Sequence, residues 1–137
     1  MSRILAIDFG EKRTGLAVTD PLQLIAGGLT TVETAQLEPF LLSYVAQEAV
    51  ERFVIGNPKT WDNRPADISE KIDNLVTRLQ TLFPNIAVSL IDERFTSALA
   101  VRAMVDGGMK KKARRNKAMI DQISATIILQ SYLESQR

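Results

Sequence analysis

The stretch from Ile4 to Val18, "ILAIDFGEKRTGLAV", decides how the rest of the chain is read. Residues 3–9 form a mostly apolar run of the kind that enters a core as a strand. "GEKR" at 10–13 is a turn, and Gly15 to Thr19 is a returning strand. Asp8 is the odd member of the first run. An ionised carboxylate withdrawn from water costs on the order of several kcal/mol unless something compensates it. Either Asp8 caps the turn that Gly10 makes at a frayed strand end, or a partner inside the fold repays its burial.

Working outward, Asp20-Pro21 marks a second turn, and Ala26 to Thr34 reads as a third strand, so the opening is an antiparallel meander. The period then becomes helical. Leu37, Phe40, Leu41, Tyr44, Val45 and Ala49 share a face, with Thr34 as N-cap and Pro39 in the first turn. Phe53-Val54-Ile55 is a buried strand stopped by Gly56-Asn57-Pro58, and a polar loop follows at 59–66. A second helix takes Asp67 as cap and buries Ile68, Ile72, Leu75, Val76, Leu79, Leu82 and Phe83 before Pro84 ends it. Ile86 to Ile91 is a further strand, closing in Asp92-Glu93-Arg94. A helix is predicted from Thr96 to about Asp106, broken by Gly107-Gly108, and a last helix over 118–134. Strands joined through helices are parallel as a rule, so the expectation is one α/β domain over 1–137 with a mixed sheet. Ligands in such sheets gather beyond the carboxyl ends of the strands, where Asp8 and Asp92-Glu93 fall.

Composition narrows the chemistry. The chain of 137 residues has no cysteine and no histidine. That removes disulfides, thiolate nucleophiles, most zinc sites and every mechanism that needs an imidazole base. Carboxylates, lysines, hydroxyls, water and hard metal ions remain. No apolar run is long enough for a membrane span, and the N-terminus lacks the layout of a secretory signal, so a cytoplasmic protein is expected. The net charge of +1 hides an asymmetry. From Arg94 to Lys117 there are eight basic residues and one acid, a net +7, which leaves −6 on the remainder. Arg94, Lys110, Lys111, Lys112, Arg114, Arg115 and Lys117, together with Arg13, are the candidate phosphate contacts. A solvated loop is the plainer reading of the same run.

A third acid occupies an unexpected position in the last helix. Asp121 shares a face with Ala125, Ile128 and Tyr132, the stripe that should meet the sheet. The plainer reading is an acid favoured by the dipole of the first helical turn. Acids converging at apolar positions repel one another unless a cation joins them, and with oxygen ligands alone Mg²⁺ or Mn²⁺ suits the site. Carboxylate-held ions of this kind serve phosphate chemistry. Together with the basic run, this points to a metal-dependent nuclease.

"IDFGEKRTGLAVTD" (7–20), "FVIGNPKTWD" (53–62), "IDERFTSALA" (91–100) and "KAMIDQISATIILQSYL" (117–133) resemble, in order, the blocks of the YqgF family, also described as Holliday junction resolvases or pre-16S rRNA nucleases. The resemblance covers essentially the whole chain. It implies an RNase H-like fold, with a five-stranded mixed sheet in the order 3-2-1-4-5 and helices on both faces. It also implies that Asp8, Glu93 and Asp121 are catalytic acids and metal ligands, and that the activity trims the 5′ end of the 16S rRNA precursor in ribosome biogenesis. Relatives cut four-way DNA junctions. Many RNase H-like nucleases carry an acid at the end of the fourth strand, where this chain has Gly56-Asn57-Pro58. The second acid must then come from the fifth strand, roughly 10 Å from Asp8 between backbones. The longer Glu93 is favoured over Asp92, which then holds Arg94 or the loop.

Other classes compete. Actin-like and sugar kinases also turn an Asp-x-Gly around a phosphate, but they close two domains over the nucleotide, and no G-x-x-x-x-G-K-[ST] loop is present. A resolvase acting on branched DNA and a catalytically silent RNA-binding domain of the same fold are the alternatives. Trp61, in the polar loop after the fourth strand, is the candidate aromatic for stacking on a base, and an anchor for that loop is an equally good reading of it. The expected partner is nucleic acid, RNA ahead of DNA, with no membrane, and the protein is expected to be a monomer or weak homodimer.

Overall fold

The computed structural model describes residues 1–57, 66–92 and 117–136. Strands β1 (Arg3–Asp8), β2 (Arg13–Thr19) and β3 (Ala26–Glu33) form the expected meander. A short 3-10 turn (Thr34–Gln36) leads into α1 (Leu37–Gln47). There follow β4 (Val50–Asn57), α2 (Ala66–Leu82), β5 (Ala87–Asp92) and α3 (Lys117–Ser135). The five strands lie in the order β3-β2-β1-β4-β5. β1 pairs antiparallel with β2 and parallel with β4, and β4 pairs parallel with β5, so β1 is the central strand.

A central strand covered on both faces needs apolar side chains at odd and even positions alike, which is why "ILAI" shows no alternation. On one face Leu5 and Ile7 join Leu16, Leu41, Phe53, Ile55, Ile72, Leu79 and Phe83 beneath α1 and α2. The ring of Phe83 meets Phe53 edge-on at 5.3 Å. On the other face Ile4, Ala6, Ala17 and Val54 pack against Ala125, Ile128, Leu129 and Leu133 of α3. The sheet side of this second layer is small-residue rich, so α3 lies close to β1 and β2. Each fully buried Leu, Ile or Phe contributes roughly 1.5–3 kcal/mol.

Three local expectations shift. β4 is longer than the Phe53–Ile55 core of its pattern and runs from Val50 to Asn57. Thr34 does not cap α1. Gln36 precedes that helix, while the Thr34 hydroxyl turns back to the Gly10 carbonyl at 2.6 Å. Asp67 lies inside α2, which begins at Ala66. The helix predicted from Thr96 and the loop around Trp61 lie outside the described residues. Among the described residues no helix is long and apolar enough to cross a membrane.

Candidate active site

Asp8 is the last residue of β1 and is 5% exposed. Alternation gives it the face of Ile4 and Ala6, so its carboxylate leaves the sheet on the α3 side, at the carboxyl end of the central strand. The turn beyond it is firmly held. Thr34 donates its backbone N–H to the Lys12 carbonyl at 2.9 Å, and its hydroxyl lies 2.9 Å from that of Thr14. Lys71 of α2 reaches Glu11 at 3.4 Å. Gly10 is required because a Cβ there would run into the Arg13 carbonyl.

Across the ladder Asp8 pairs with Gly15, which places their Cα atoms about 4.5–5.5 Å apart. Gly15 explains how a residue more than a hundred positions away joins them. A Cβ at position 15 would lie 2.9 Å from the Cβ of Asp121 and would collide with the Asp121 carbonyl. The N-terminal part of α3, at Asp121, therefore rests directly on the strand beside Asp8. The Thr31 hydroxyl, donating to the Ala118 carbonyl, fixes the same end of α3 to β3. Asp121, partly buried, accepts a hydrogen bond from Nε of Arg13 at 2.9 Å.

Asp8, Asp121 and Arg13 are thus gathered in one place. Asp92 ends β5 in register with Asn57, on the Val88 side of the sheet, so it does not share the face of Asp8. Glu93, Arg94, Lys110, Lys111, Lys112, Arg114 and Arg115 lie outside the described residues. Lys117 opens α3, but its side chain lies outside them too. Among the described residues no three His, Cys, Asp or Glu side chains form a metal-holding group; of the three expected acids, Asp8 and Asp121 lie within them and Glu93 does not. Their chemistry fits Mg²⁺ or Mn²⁺: carboxylate oxygens, one of them nearly buried, with neither imidazole nor thiolate in the chain.

Gly15 and Thr31 were left without a role by residue chemistry alone, and Thr34, read as a helix cap, instead ties down the turn beyond Asp8. Gly15 carried a signal in its motif but no reason for it. Thr31 carried none, because its partner is a backbone carbonyl distant in sequence, and the Thr34 hydroxyl carried a cap's signature that pointed forward rather than back to Gly10.

A five-stranded mixed sheet in this order, with helices on both faces, is the RNase H-like fold. RuvC of T. thermophilus, solved in complex with a Holliday junction substrate, shares this fold: the TM-score is 0.60 at 18% identity, over 99% of this chain and 96% of that one. The family described as "RuvX: Holliday junction resolvase" matches residues 2–135, and the chain belongs to it. A relative from Phocaeicola vulgatus is 59% identical over 100% of this chain and 99% of its own length. One from Bacteroides thetaiotaomicron is 57% identical over the same shares. Both carry the name pre-16S rRNA nuclease.

Proposed function

We propose that this protein is a metal-dependent nuclease that hydrolyses phosphodiester bonds in the 5′ leader of precursor 16S rRNA in the bacterial cytoplasm. One observation carries the reading. A nearly buried carboxylate ends the central strand, and the fold brings Asp121, from the other end of the chain, onto the strand beside it. Burying one acid and setting another beside it is destabilising, and such an arrangement is retained where charge is needed for chemistry. The names of the full-length relatives supply the substrate.

Asp8 and Asp121 would hold Mg²⁺ or Mn²⁺ together with Glu93. Glu93 is preferred to its neighbour because Asp92 lies on the opposite face of the sheet from Asp8. When bound, such an ion lowers the pKa of an attacking water and stabilises the leaving oxygen. Asp8 fixes the position of the site, since a central strand packed on both faces cannot move without disrupting both layers. Arg13, Arg94, Lys110, Lys111, Lys112, Arg114, Arg115 and Lys117 would hold the phosphodiester backbone.

The test is cleavage of three matched substrates: a precursor rRNA 5′ leader, single-stranded DNA and a four-way junction. Each is assayed with EDTA, Mg²⁺ and Mn²⁺. Cleavage of the leader that needs metal and is lost in Asp8→Asn and Asp121→Asn is the expected result. Cutting of the four-way junction alone would instead make the chain a resolvase, in keeping with the family's description. Binding of RNA without cleavage under any condition would make it a silent RNA-binding domain.

A further inference from the structure

The ion pair between Arg13 and Asp121 has a direction. Arg13 opens β2 two residues before Gly15, on the same face of the strand, and its Nε contacts Asp121 Oδ2 at 2.9 Å. The Arg13 side chain is 40% exposed and that of Asp121 24%. The contact runs through Nε of the guanidinium, so the pairing is single rather than a bidentate fork. An exposed arginine–carboxylate pair is ordinarily worth little. Here the carboxylate belongs to a helix turn lying against the strand partner of Asp8, where a second negative charge would be repelled. Arg13 therefore supplies a positive charge at the position where a divalent cation would have to bind.

We infer that Arg13 is a positioning residue that serves as the counter-ion of Asp121 in the metal-free protein and leaves it when a divalent cation is held. This rests on the metal reading above and adds to it an exchange of counter-ions. Two consequences separate it from a static ion pair. The Arg13–Asp121 coupling should be present without metal and vanish with it, because the same carboxylate oxygens cannot serve both cations fully. Removing Arg13 should also tighten divalent binding, since a positive charge is taken from the edge of the site. For a unit charge repelling a divalent ion in high-dielectric surroundings, the gain is roughly five- to tenfold in affinity.

The experiment is a double-mutant cycle on the full chain, Arg13→Gln, Asp121→Asn and the pair, followed by thermal melting in EDTA and in Mn²⁺. Titration of Mn²⁺ into native protein and Arg13→Gln accompanies it. The expected result is a coupling in EDTA that is lost in Mn²⁺. The Mn²⁺-induced rise in Tm should also be larger by about 2–5 °C in Arg13→Gln than in the native chain, following the tighter binding. A coupling of equal size in both buffers, or an Mn²⁺ affinity unchanged or weakened in Arg13→Gln, makes the pair a static surface contact and overturns the inference while leaving the metal site standing. If native protein shows no Mn²⁺ increment at all, the metal reading has failed and the exchange fails with it. Arg13→Lys guards against a packing artefact: it keeps the charge, so it should bind Mn²⁺ like the native chain.

Discussion

A methyl group at position 15 has nowhere to go. The backbone of Asp121 occupies the space, so Gly15→Ala must push α3 outward at Asp121 or bend β2 beneath it. Forcing atoms into a packed contact costs about 1–3 kcal/mol, and backbone on both sides leaves no flexible side chain to give way. The expected outcome is a clear loss of melting temperature, with Asp121 moved from its place beside Asp8. Gly27→Ala is the control. Its Cβ would meet nothing within 4 Å, so that variant should melt at or slightly above the native temperature. Equal melting of both variants would show that α3 can shift at no cost, and Gly15 would then not be what sets the approach of Asp121. This residue also marks where reading the sequence stops. Asp8 stood out because its charge contradicts an apolar neighbourhood, and Asp121 because it broke an apolar stripe. A glycine signals only that a side chain is missing. What takes its place is known once the helix is docked.

Elements were legible where one face is apolar and the period is sustained. The α2 stripe from Ile68 to Phe83 packs on its core as spaced, and the face of Asp121, Ala125 and Ile128 meets the sheet. Thr34 was misplaced because a hydroxyl before a helix has the same signature whether it bonds forward to helix N–H groups or backward to a turn. The β2–β3 connection shows what a turn signal leaves unsaid. Asp20 is more than a turn former: its carboxylate accepts N–H bonds from Leu22, Leu24 and Ile25 at 3.1, 2.9 and 2.8 Å. Gln23 sits at φ 59°, uncommon for a residue with a side chain, and donates to the Ser2 carbonyl and to Glu51. The Ile25 N–H, ahead of those of Leu24 and Leu22, draws the Asp20 carboxyl below its ordinary value of 3.8. A lowered pKa means that the contribution is present above 3.8 and is lost as pH falls through the folded-state value. Asp20→Ala should therefore speed hydrogen exchange at Leu24 and Ile25 at neutral pH, while the native loop loosens only in acid. Unchanged protection in the variant would assign the loop's order to Gln23 instead.

For the molecule as a whole, the charge is divided between a slightly acidic remainder and a basic run, and this bears on how a polyanion is held. The remainder carries −6 and the segment from Arg94 to Lys117 carries +7. A uniformly neutral surface would attract nucleic acid weakly. A segregated one can present a positive face while the acids elsewhere keep the protein from collecting polyanions indiscriminately. If the run is the phosphate-binding face, every contact it makes releases condensed counterions, and affinity falls with salt in proportion to the number of contacts. Replacing Lys110, Lys111, Lys112, Arg114 and Arg115 by Gln should weaken binding of a single-stranded RNA probe at low salt. It should also flatten the plot of log affinity against log salt by about 0.7 log units per lost contact. Melting temperature is read alongside, and it should hardly move, as expected for charges whose part is to bind phosphate rather than to hold the fold. The two readouts together decide between the readings of this segment. A flattened slope at constant stability identifies a phosphate-binding face. An unchanged slope identifies a stretch that keeps the chain in solution, and of the proposed phosphate contacts Arg13, Arg94 and Lys117 would then be left to test.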